Sequence, residues 1–229
     1  MALATVVYAA VAALARPAAA QHPGSPPPRP SGVVPVLVVP GWFDTAEALA
    51  GLRVRLTSAG WPAERVAAVT FARPTGSNHE HAAEIARAVE LLRRRTGAER
   101  VDVIAHSMGG LATRLFLLEH PGAVRRVVFM ATPHRGTLSA YFAFGEGRDE
   151  MMPGSSFLDA LNAVPPVPEG VEALTVRTFL DTHVVPAASG TLPGVPDVTV
   201  CCPTHEGLTR DLAAFRAVSA FLLTGKAGS

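Results

Sequence analysis

Short apolar runs alternate with amphipathic segments along the chain from residue 33 onward. Val33 to Val39 is a continuous apolar run, which is typical of a strand buried on both faces of a sheet. Later apolar runs are separated by segments with apolar residues at helical spacing. The predicted strands cover residues 33–39, 66–71, 101–105, 124–130, 171–180 and 198–202. This alternation predicts an α/β fold, with a mostly parallel sheet of about six strands and helices on both faces.

Capping residues and glycines suggest where the helices begin and end. We expect Thr45 to cap the first helix, and the spacing of Ser77 and Glu80 fits a capping box at the start of the second. Gly97 is expected to end that second helix. The last helix is predicted to carry its apolar side over residues 208–222. Since the chain shows no internal repeat, we expect one folded domain.

The N-terminal segment differs in composition from the rest of the chain. Residues 1–20 combine an apolar run with three alanines at a cleavage position, so they resemble a secretory signal peptide, although no Lys or Arg precedes the run. A helical N-terminal extension is the alternative. Residues 21–32 are rich in proline and predict an extended linker, and residues 33–229 form the domain. We expect secretion, or a cytoplasmic protein if the segment is not a signal peptide.

The charge balance excludes several classes of partner. The chain has 20 basic and 19 acidic residues, so it offers no basic stripe for nucleic acid. No apolar run of membrane-spanning length follows residue 32, and we expect no stable membrane insertion and a monomer.

Cys201 and Cys202 are adjacent, and neighbouring cysteines rarely bridge because the small ring strains the peptide between them. We therefore expect a fold without a disulfide.

Ser107 lies at the junction of the third predicted strand and the following helix. It stands in Ala105-His106-Ser107-Met108-Gly109, whose small residues at either end let a sharp turn close. This is the arrangement of a nucleophile elbow, with Ala105 in place of the usual first glycine. The alternative is a strand–helix junction that carries no chemistry. The sequence context favours Ser107 as a nucleophile.

A serine hydroxyl needs a base, and His205 is the best placed histidine. It follows the last strand, at the carboxyl edge of the sheet where Ser107 also lies. His120 ends a helix at the opposite edge and is expected to be structural. His134 and His106 are expected to shape the loop and the turn near the site. The candidates downstream of the serine are His120, His134, His183 and His205.

The imidazole in turn needs a carboxylate to hold its tautomer. Asp181 directly follows the fifth predicted strand, so it lies at the same edge and completes the order Ser, Asp, His. Asp197 is the runner-up, but it begins the sixth strand and belongs at the wrong edge. Asp102 fails for the same reason.

Two backbone amides are needed to hold a developing oxyanion. One is expected from Met108, the residue after the nucleophile. The other should come from the loop after the first strand, which reads Pro40-Gly41-Trp42-Phe43. By position we assign this second amide to Trp42, with Phe43 as the neighbouring possibility.

Taken together, these residues resemble the small bacterial lipase/esterase branch of the α/β-hydrolases. The elbow is similar to that of compact Bacillus-type lipases, and residues 132–137 look like a loop of triacylglycerol lipases. Pro40-Gly41 departs from the more common His-Gly. The resemblance implies the α/β-hydrolase fold, hydrolysis of carboxylic esters through an acyl-enzyme, no cofactor and frequent secretion. The segments that carry it are residues 36–43, 105–110 and 131–137, with Asp181 and His205.

Other functions remain open at this point. A thioesterase or acyltransferase would use the same triad, and a non-catalytic binding protein could keep the fold. A metal site in His79-Glu80-His81 is not expected, because residues two apart on a helix do not share a face. The irregular segment 131–170 is too short for a large lid domain. We therefore expect a small or absent lid, and a shallow open site for a small-molecule or lipid ester with a short to medium acyl chain.

Overall fold

Parallel strands form one sheet in the computed structural model, which describes residues 33–227. The strands are β1 (Val36–Val39), β2 (Val66–Ala68), β3 (Val101–His106), β4 (Val124–Met130), β5 (Glu172–Thr178) and β6 (Asp197–Val200). All neighbours pair in parallel, in the order β2-β1-β3-β4-β5-β6. The predicted parallel sheet is confirmed. The predicted signal peptide (1–20) and linker (21–32) lie outside the described residues.

Helices cover both faces of this sheet, as predicted. They are α1 (Ala50–Ser58), α2 (Asn78–Thr96), α3 (Gly109–Glu119), α4 (Glu146–Met151), α5 (Ser156–Asn162) and α6 (Leu212–Thr224). One core lies between the sheet and α1 with α6, where Leu56 and Phe221 are buried. A second core lies between the sheet and α2 with α3, where Ile85 and Phe116 are buried.

Strand β1 shows why the apolar runs are continuous. Val36 and Val38 belong to the core under α1 and α6, whereas Leu37 and Val39 belong to the core under α2 and α3. Successive side chains of a strand point to opposite faces. A strand buried on both sides therefore needs an apolar residue at every position.

Helix α2 begins and ends largely as predicted. The Ser77 hydroxyl accepts a hydrogen bond from the His79 amide, and Gly97 ends the helix in a left-handed conformation with φ of 68°. The predicted capping box is only half formed. Glu80 pairs with Arg73 instead of with the Ser77 amide, because that cation lies within reach in the preceding loop.

Two other helix boundaries were predicted wrongly. Helix α1 begins at Ala50 without a side-chain cap, and the Thr45 amide donates to the Asp44 carboxylate inside a turn. Helix α6 begins at Leu212, where the Asp211 carboxylate accepts from the Ala214 amide. Leu208 belongs to a separate 3-10 segment, so the apolar spacing there reflects two short elements packed on one core.

The adjacent cysteines contradict the expectation that they would stay unbridged. Cys201 and Cys202 form a disulfide, and the peptide bond between them is cis. The cis geometry places the two Cα atoms 3.0 Å apart, which lets both side chains turn to the same side.

The segment between β4 and β5 contains only short elements. A 3-10 segment (Leu138–Phe142) precedes α4 and α5, and together they bury a small apolar cluster against the start of α3. Met151, Leu158 and Leu161 lie in this cluster with Met108. Throughout residues 33–227, no helix has the length and hydrophobicity to cross a membrane.

Candidate active site

Ser107 occupies a strained turn between β3 and α3. Its φ is +53°, in the left-handed region that non-glycine residues rarely adopt. Its amide donates to the Met130 carbonyl at 2.8 Å, which ties the turn to the neighbouring strand. Strain of this kind is maintained only where the surrounding structure enforces it, and it is concentrated at functional sites.

Glycines on both sides make this turn sterically possible. A Cβ at Gly109 would collide with the Pro40 carbonyl oxygen, and a Cβ at Gly41 would lie 2.7 Å from the Ser107 Cβ. The loop after β1 and the start of α3 therefore approach each other at the serine. Ala105 is fully buried, so the alanine that departs from the usual elbow is accommodated in the core.

Asp181 and His205 form a buried pair beside this turn. The Nδ1–H of His205 lies 3.0 Å from each carboxylate oxygen of Asp181. The Oδ1 atom of Asp181 also accepts from the amides of His183 and Val184, at 2.9 and 2.7 Å. The turn after β5 thus orients the carboxylate, and the loop after β6 brings the imidazole to it.

These contacts keep the Asp181 carboxylate ionised. Burial acts to raise its pKa, but the hydrogen bond from His205 and those from the two amides outweigh burial and lower the pKa below its ordinary value. A charged group in this buried position stabilises a positive charge on the neighbouring ring. The pair therefore has the electrostatics of a base and its orienting acid.

Ser107 and His205 line the same cavity. Since Nδ1 of His205 faces Asp181, Nε2 is the ring nitrogen left to serve the serine. Within residues 33–227 the Ser107 hydroxyl makes no hydrogen bond. Catalytic hydrogen bonds are often long without substrate and shorten in the complex. The structure thus brings Ser107 and His205 to one cavity with Asp181 behind the base, while the hydrogen bond between Ser107 and His205 is not formed.

The hydrogen bonds of the backbone amides decide between Trp42 and Phe43 as the second donor to an oxyanion. The Phe43 amide donates to the Pro74 carbonyl at 3.1 Å and is therefore occupied. The amides of Trp42 and Met108 donate to no acceptor in the described part of the chain. Buried amides without a partner are rare, so a free pair beside a serine is the arrangement expected of an oxyanion hole.

The alternative acids are held in ion pairs, and neither lines the cavity. Asp102 lies near the start of β3, as expected. Asp197 was expected at the opposite edge, but β6 begins so far along the sheet that Asp197 lies level with Ala105, so that expectation was wrong. Asp197 begins β6 and pairs with Arg177 at 2.9 Å. Asp102 lies in β3, is fully buried and pairs with Arg125 at 2.6 Å. Both carboxylates serve ion pairs that join strand ends.

Two of the alternative histidines lie away from the cavity. His120 follows α3 and is exposed. His134 is fully buried against Phe129, and within residues 33–227 neither of its ring nitrogens has a hydrogen-bond partner. Burial, assisted by Arg114 and Arg135, lowers the pKa of His134 well below its ordinary value. A neutral ring buried in this way shapes the loop after β4.

His106 has a closer relation to the base than sequence reasoning assigned to it. Its Nε2–H donates to the His205 carbonyl at 3.3 Å, and the two rings lie 4.7 Å apart. Burial, followed by the proximity of His205, lowers the pKa of His106 to about 3. His106 therefore stays neutral and supports the loop that carries the base.

Two polar residues near the base were given no role from the sequence: Asp44, which was not considered, and His183, which was only one of the four candidate bases. Asp44 has an oxygen 3.9 Å from Nδ1 of His106, and burial together with Glu206 raises its pKa. His183 is half exposed, with its ring 4.9 Å from that of His205. A signal existed for both, since each follows a strand at the carboxyl edge, but their side-chain directions depend on loop geometry.

The cavity itself has a volume of about 530 Å³, within the range of small-molecule sites. Its lining is mainly apolar. Met151 and Phe142 from the segment between β4 and β5 contribute to it, whereas Leu158 lies in the core. Phe142 is 93% exposed, and it stands at the entrance. Other apolar lining residues are Leu49, Ala140, Ala143 and Val184.

Comparison with known proteins agrees with this architecture. A family described as the α/β hydrolase fold matches residues 34–154, more than half of the chain. Lipase B of Aspergillus fumigatus superposes with a TM-score of 0.74 at 19% identity, covering 87% of this chain and 54% of that one. This chain therefore spans about half the length of the Aspergillus lipase.

Two bacterial structures are similar in the same way. The mature form of lipase BlEst2 from Bacillus licheniformis has a TM-score of 0.70 at 16% identity, covering 89% of this chain and 95% of that one. Phospholipase PlaB from Legionella pneumophila has a TM-score of 0.66 at 14% identity, covering 84% and 58%. At these identities the similarity shows the fold. With the family match over the elbow, it follows that this chain belongs to the α/β-hydrolase family.

Proposed function

We propose that this protein is a serine hydrolase that cleaves carboxylic esters through a covalent acyl-enzyme. One observation carries the proposal: the strained Ser107 lines a single cavity with His205, whose ring is held by the buried Asp181. A nucleophile, an orienting acid and a base in this chain order form the catalytic triad of acyl transfer.

The reaction begins with attack of the Ser107 oxygen on the ester carbonyl carbon. Nε2 of His205 takes the hydroxyl proton, and the amides of Met108 and Trp42 stabilise the negative oxygen of the tetrahedral intermediate. Collapse of the intermediate breaks the bond to the alkoxy group, which leaves with the proton from His205. The product of this half-reaction is an acyl-serine and a free alcohol.

Water then completes the cycle. His205 takes a proton from water, whose oxygen attacks the acyl-serine, and collapse of the second intermediate returns the proton to Ser107 and releases the acid. Asp181 stays ionised throughout, because the hydrogen bonds that lower its pKa are independent of the substrate. Its charge stabilises the imidazolium that forms twice in each turnover.

The cavity favours a small-molecule or lipid ester with a short to medium acyl chain. Its mainly apolar lining suits an acyl group, while its volume of about 530 Å³ limits how much chain it can enclose. We place the protein in the small bacterial lipase/esterase branch. Support comes from the Ala-His-Ser-Met-Gly elbow and from structural neighbours that are themselves named lipases.

The test is a chain-length series of p-nitrophenyl esters on wild type and Ser107→Ala. We expect wild type to favour short to medium esters and Ser107→Ala to lose nearly all turnover. Ser58→Ala, on the exposed end of α1, is the matched control and should behave as wild type. A fluorophosphonate probe should label wild type and the control alone.

Two outcomes would contradict the proposal. Full activity in Ser107→Ala would remove the serine from the mechanism. Faster turnover of matched thioesters, or transfer to an added alcohol in preference to water, would replace ester hydrolysis with thioesterase or acyltransferase activity.

A further inference from the structure

The residues that surround the base also form a set of metal ligands. Asp181, His183 and His205 each offer a ligand atom, and these atoms lie within 4.8 Å of one another. Glu206 adds a carboxylate oxygen 3.5 Å from Nδ1 of His183. Two imidazoles and one carboxylate thus meet at the edge of the cavity, and a second carboxylate, that of Glu206, lies beside His183.

The donor set selects for one class of metal. Imidazole nitrogen with carboxylate oxygen suits Zn²⁺ and its late first-row neighbours, whereas Mg²⁺ and Ca²⁺ prefer oxygen ligands alone. Zn²⁺ accepts four ligands at about 2.0–2.2 Å and has no strict geometric demand, so modest side-chain rotation can close the set.

The burial of the ligands suggests how such an ion would enter and leave. The side chains of Asp181 and His205 are almost fully buried and already fixed against each other. The His183 side chain is 55% exposed, and that of Glu206 is 57% exposed, so both can turn to receive an ion from solvent. Among the described residues 33–227, the Oδ2 atom of Asp181 accepts from His205 alone and keeps a lone pair free.

We propose that His183, His205 and Asp181, assisted by Glu206, form a reversible Zn²⁺ site that inhibits the enzyme. Binding replaces zinc-bound waters with ring nitrogens and carboxylate oxygens, and it involves no redox change. Zinc can share His205 and Asp181 only on the Nδ1 side of the ring, where the carboxylate lies 3.0 Å away. Zinc on Nδ1 moves the ring proton to Nε2. Nε2 then has no lone pair to take the serine proton, so the base is removed.

The inhibitory role rests on the proposed function, but the ion site does not, so the two are tested separately. Calorimetric titration of ZnCl₂ into full-length Ser107→Ala measures binding without any turnover. We expect one ion per chain. The double variant Ser107→Ala with His183→Gln should bind Zn²⁺ more than about tenfold more weakly than Ser107→Ala alone. Loss of a residue that only supports a metal ligand already costs that much affinity. The exposed His120, at the opposite edge, provides the matched control: His120→Gln should bind normally.

Activity assays on the wild-type background then test inhibition. Zn²⁺ should lower p-nitrophenyl ester turnover over the same concentrations at which it binds, and EDTA should restore it, while Mg²⁺ and Ca²⁺ have no effect. His183→Gln should resist zinc when compared with its own zinc-free rate. The site is refuted if Ser107→Ala binds no zinc, or if His183→Gln binds it equally well. Zinc binding that leaves turnover unchanged would refute the inhibition alone.

Discussion

The buried contact between Asp181 and His205 makes the change Asp181→Asn the sharpest test of the mechanism. In the folded protein the Nδ1–H of His205 lies 3.0 Å from both carboxylate oxygens. An asparagine would present an amide NH₂ toward the ring. Nδ1 would then become the acceptor, and the ring proton would move to Nε2, where it could no longer take the proton of Ser107.

The structure indicates that this substitution leaves the local fold intact. Oδ1 of Asp181 accepts from the amides of His183 and Val184, and an asparagine carbonyl oxygen can accept the same two bonds. The loss should therefore fall on turnover. A wrong tautomer in a serine hydrolase lowers kcat by about 10⁴-fold, which corresponds to about 5.5 kcal/mol in activation free energy.

The assay measures kcat on a p-nitrophenyl ester together with thermal unfolding. Asp197→Asn is the matched control, since it makes the same chemical change in a carboxylate that pairs with Arg177 and does not line the cavity. We expect its kcat to equal that of wild type. If Asp181→Asn folds normally and kcat falls by less than about tenfold, Asp181 does not orient the base.

Two further predictions concern stability. Gly109→Ala should lower the free energy of unfolding by several kcal/mol, because the new Cβ meets the Pro40 carbonyl. Gly51→Ala, on helix α1 where a Cβ meets nothing, should raise it by up to about 1 kcal/mol. Equal melting temperatures for the two variants would disprove the steric reasoning. Burial lowers the folded-state pKa of His134, so the folded protein favours the neutral ring. The contribution of this ring to the free energy of unfolding is present above the unfolded pKa near 6.5 and is lost as pH falls. Urea unfolding between pH 7 and 5 should show His134→Leu losing less stability than wild type, by up to about 1.4 kcal/mol per pH unit, and an unchanged slope would contradict it.

The position of the triad was accessible from the sequence because of one property of parallel sheets. Every strand ends at the same edge, so residues directly after strands are brought together whatever their separation in the chain. Ser107 follows β3, Asp181 follows β5 and His205 follows β6. The same reasoning placed Asp197 at the wrong edge, but β6 begins so far along the sheet that Asp197 lies level with Ala105, where it pairs with Arg177.

Helix starts and side-chain directions were less accessible. Thr45 has the right residue type for a cap, but α1 begins five residues later, because the loop after β1 must first pass the serine turn. The disulfide between Cys201 and Cys202 was not expected, because residue types alone do not reveal how the backbone between two adjacent cysteines is turned. These features are decided by contacts with distant parts of the chain.

The sequence by itself determined the parallel sheet, the elbow at Ser107 and the strand-end positions of Asp181 and His205, since hydrophobic period and residue size are local properties. Only the tertiary structure decided that the Trp42 amide has no acceptor within residues 33–227, while the Pro74 carbonyl accepts from that of Phe43. It also decided the packing of histidines around the base. Such choices depend on the distances between loops from different strands, which no local pattern encodes.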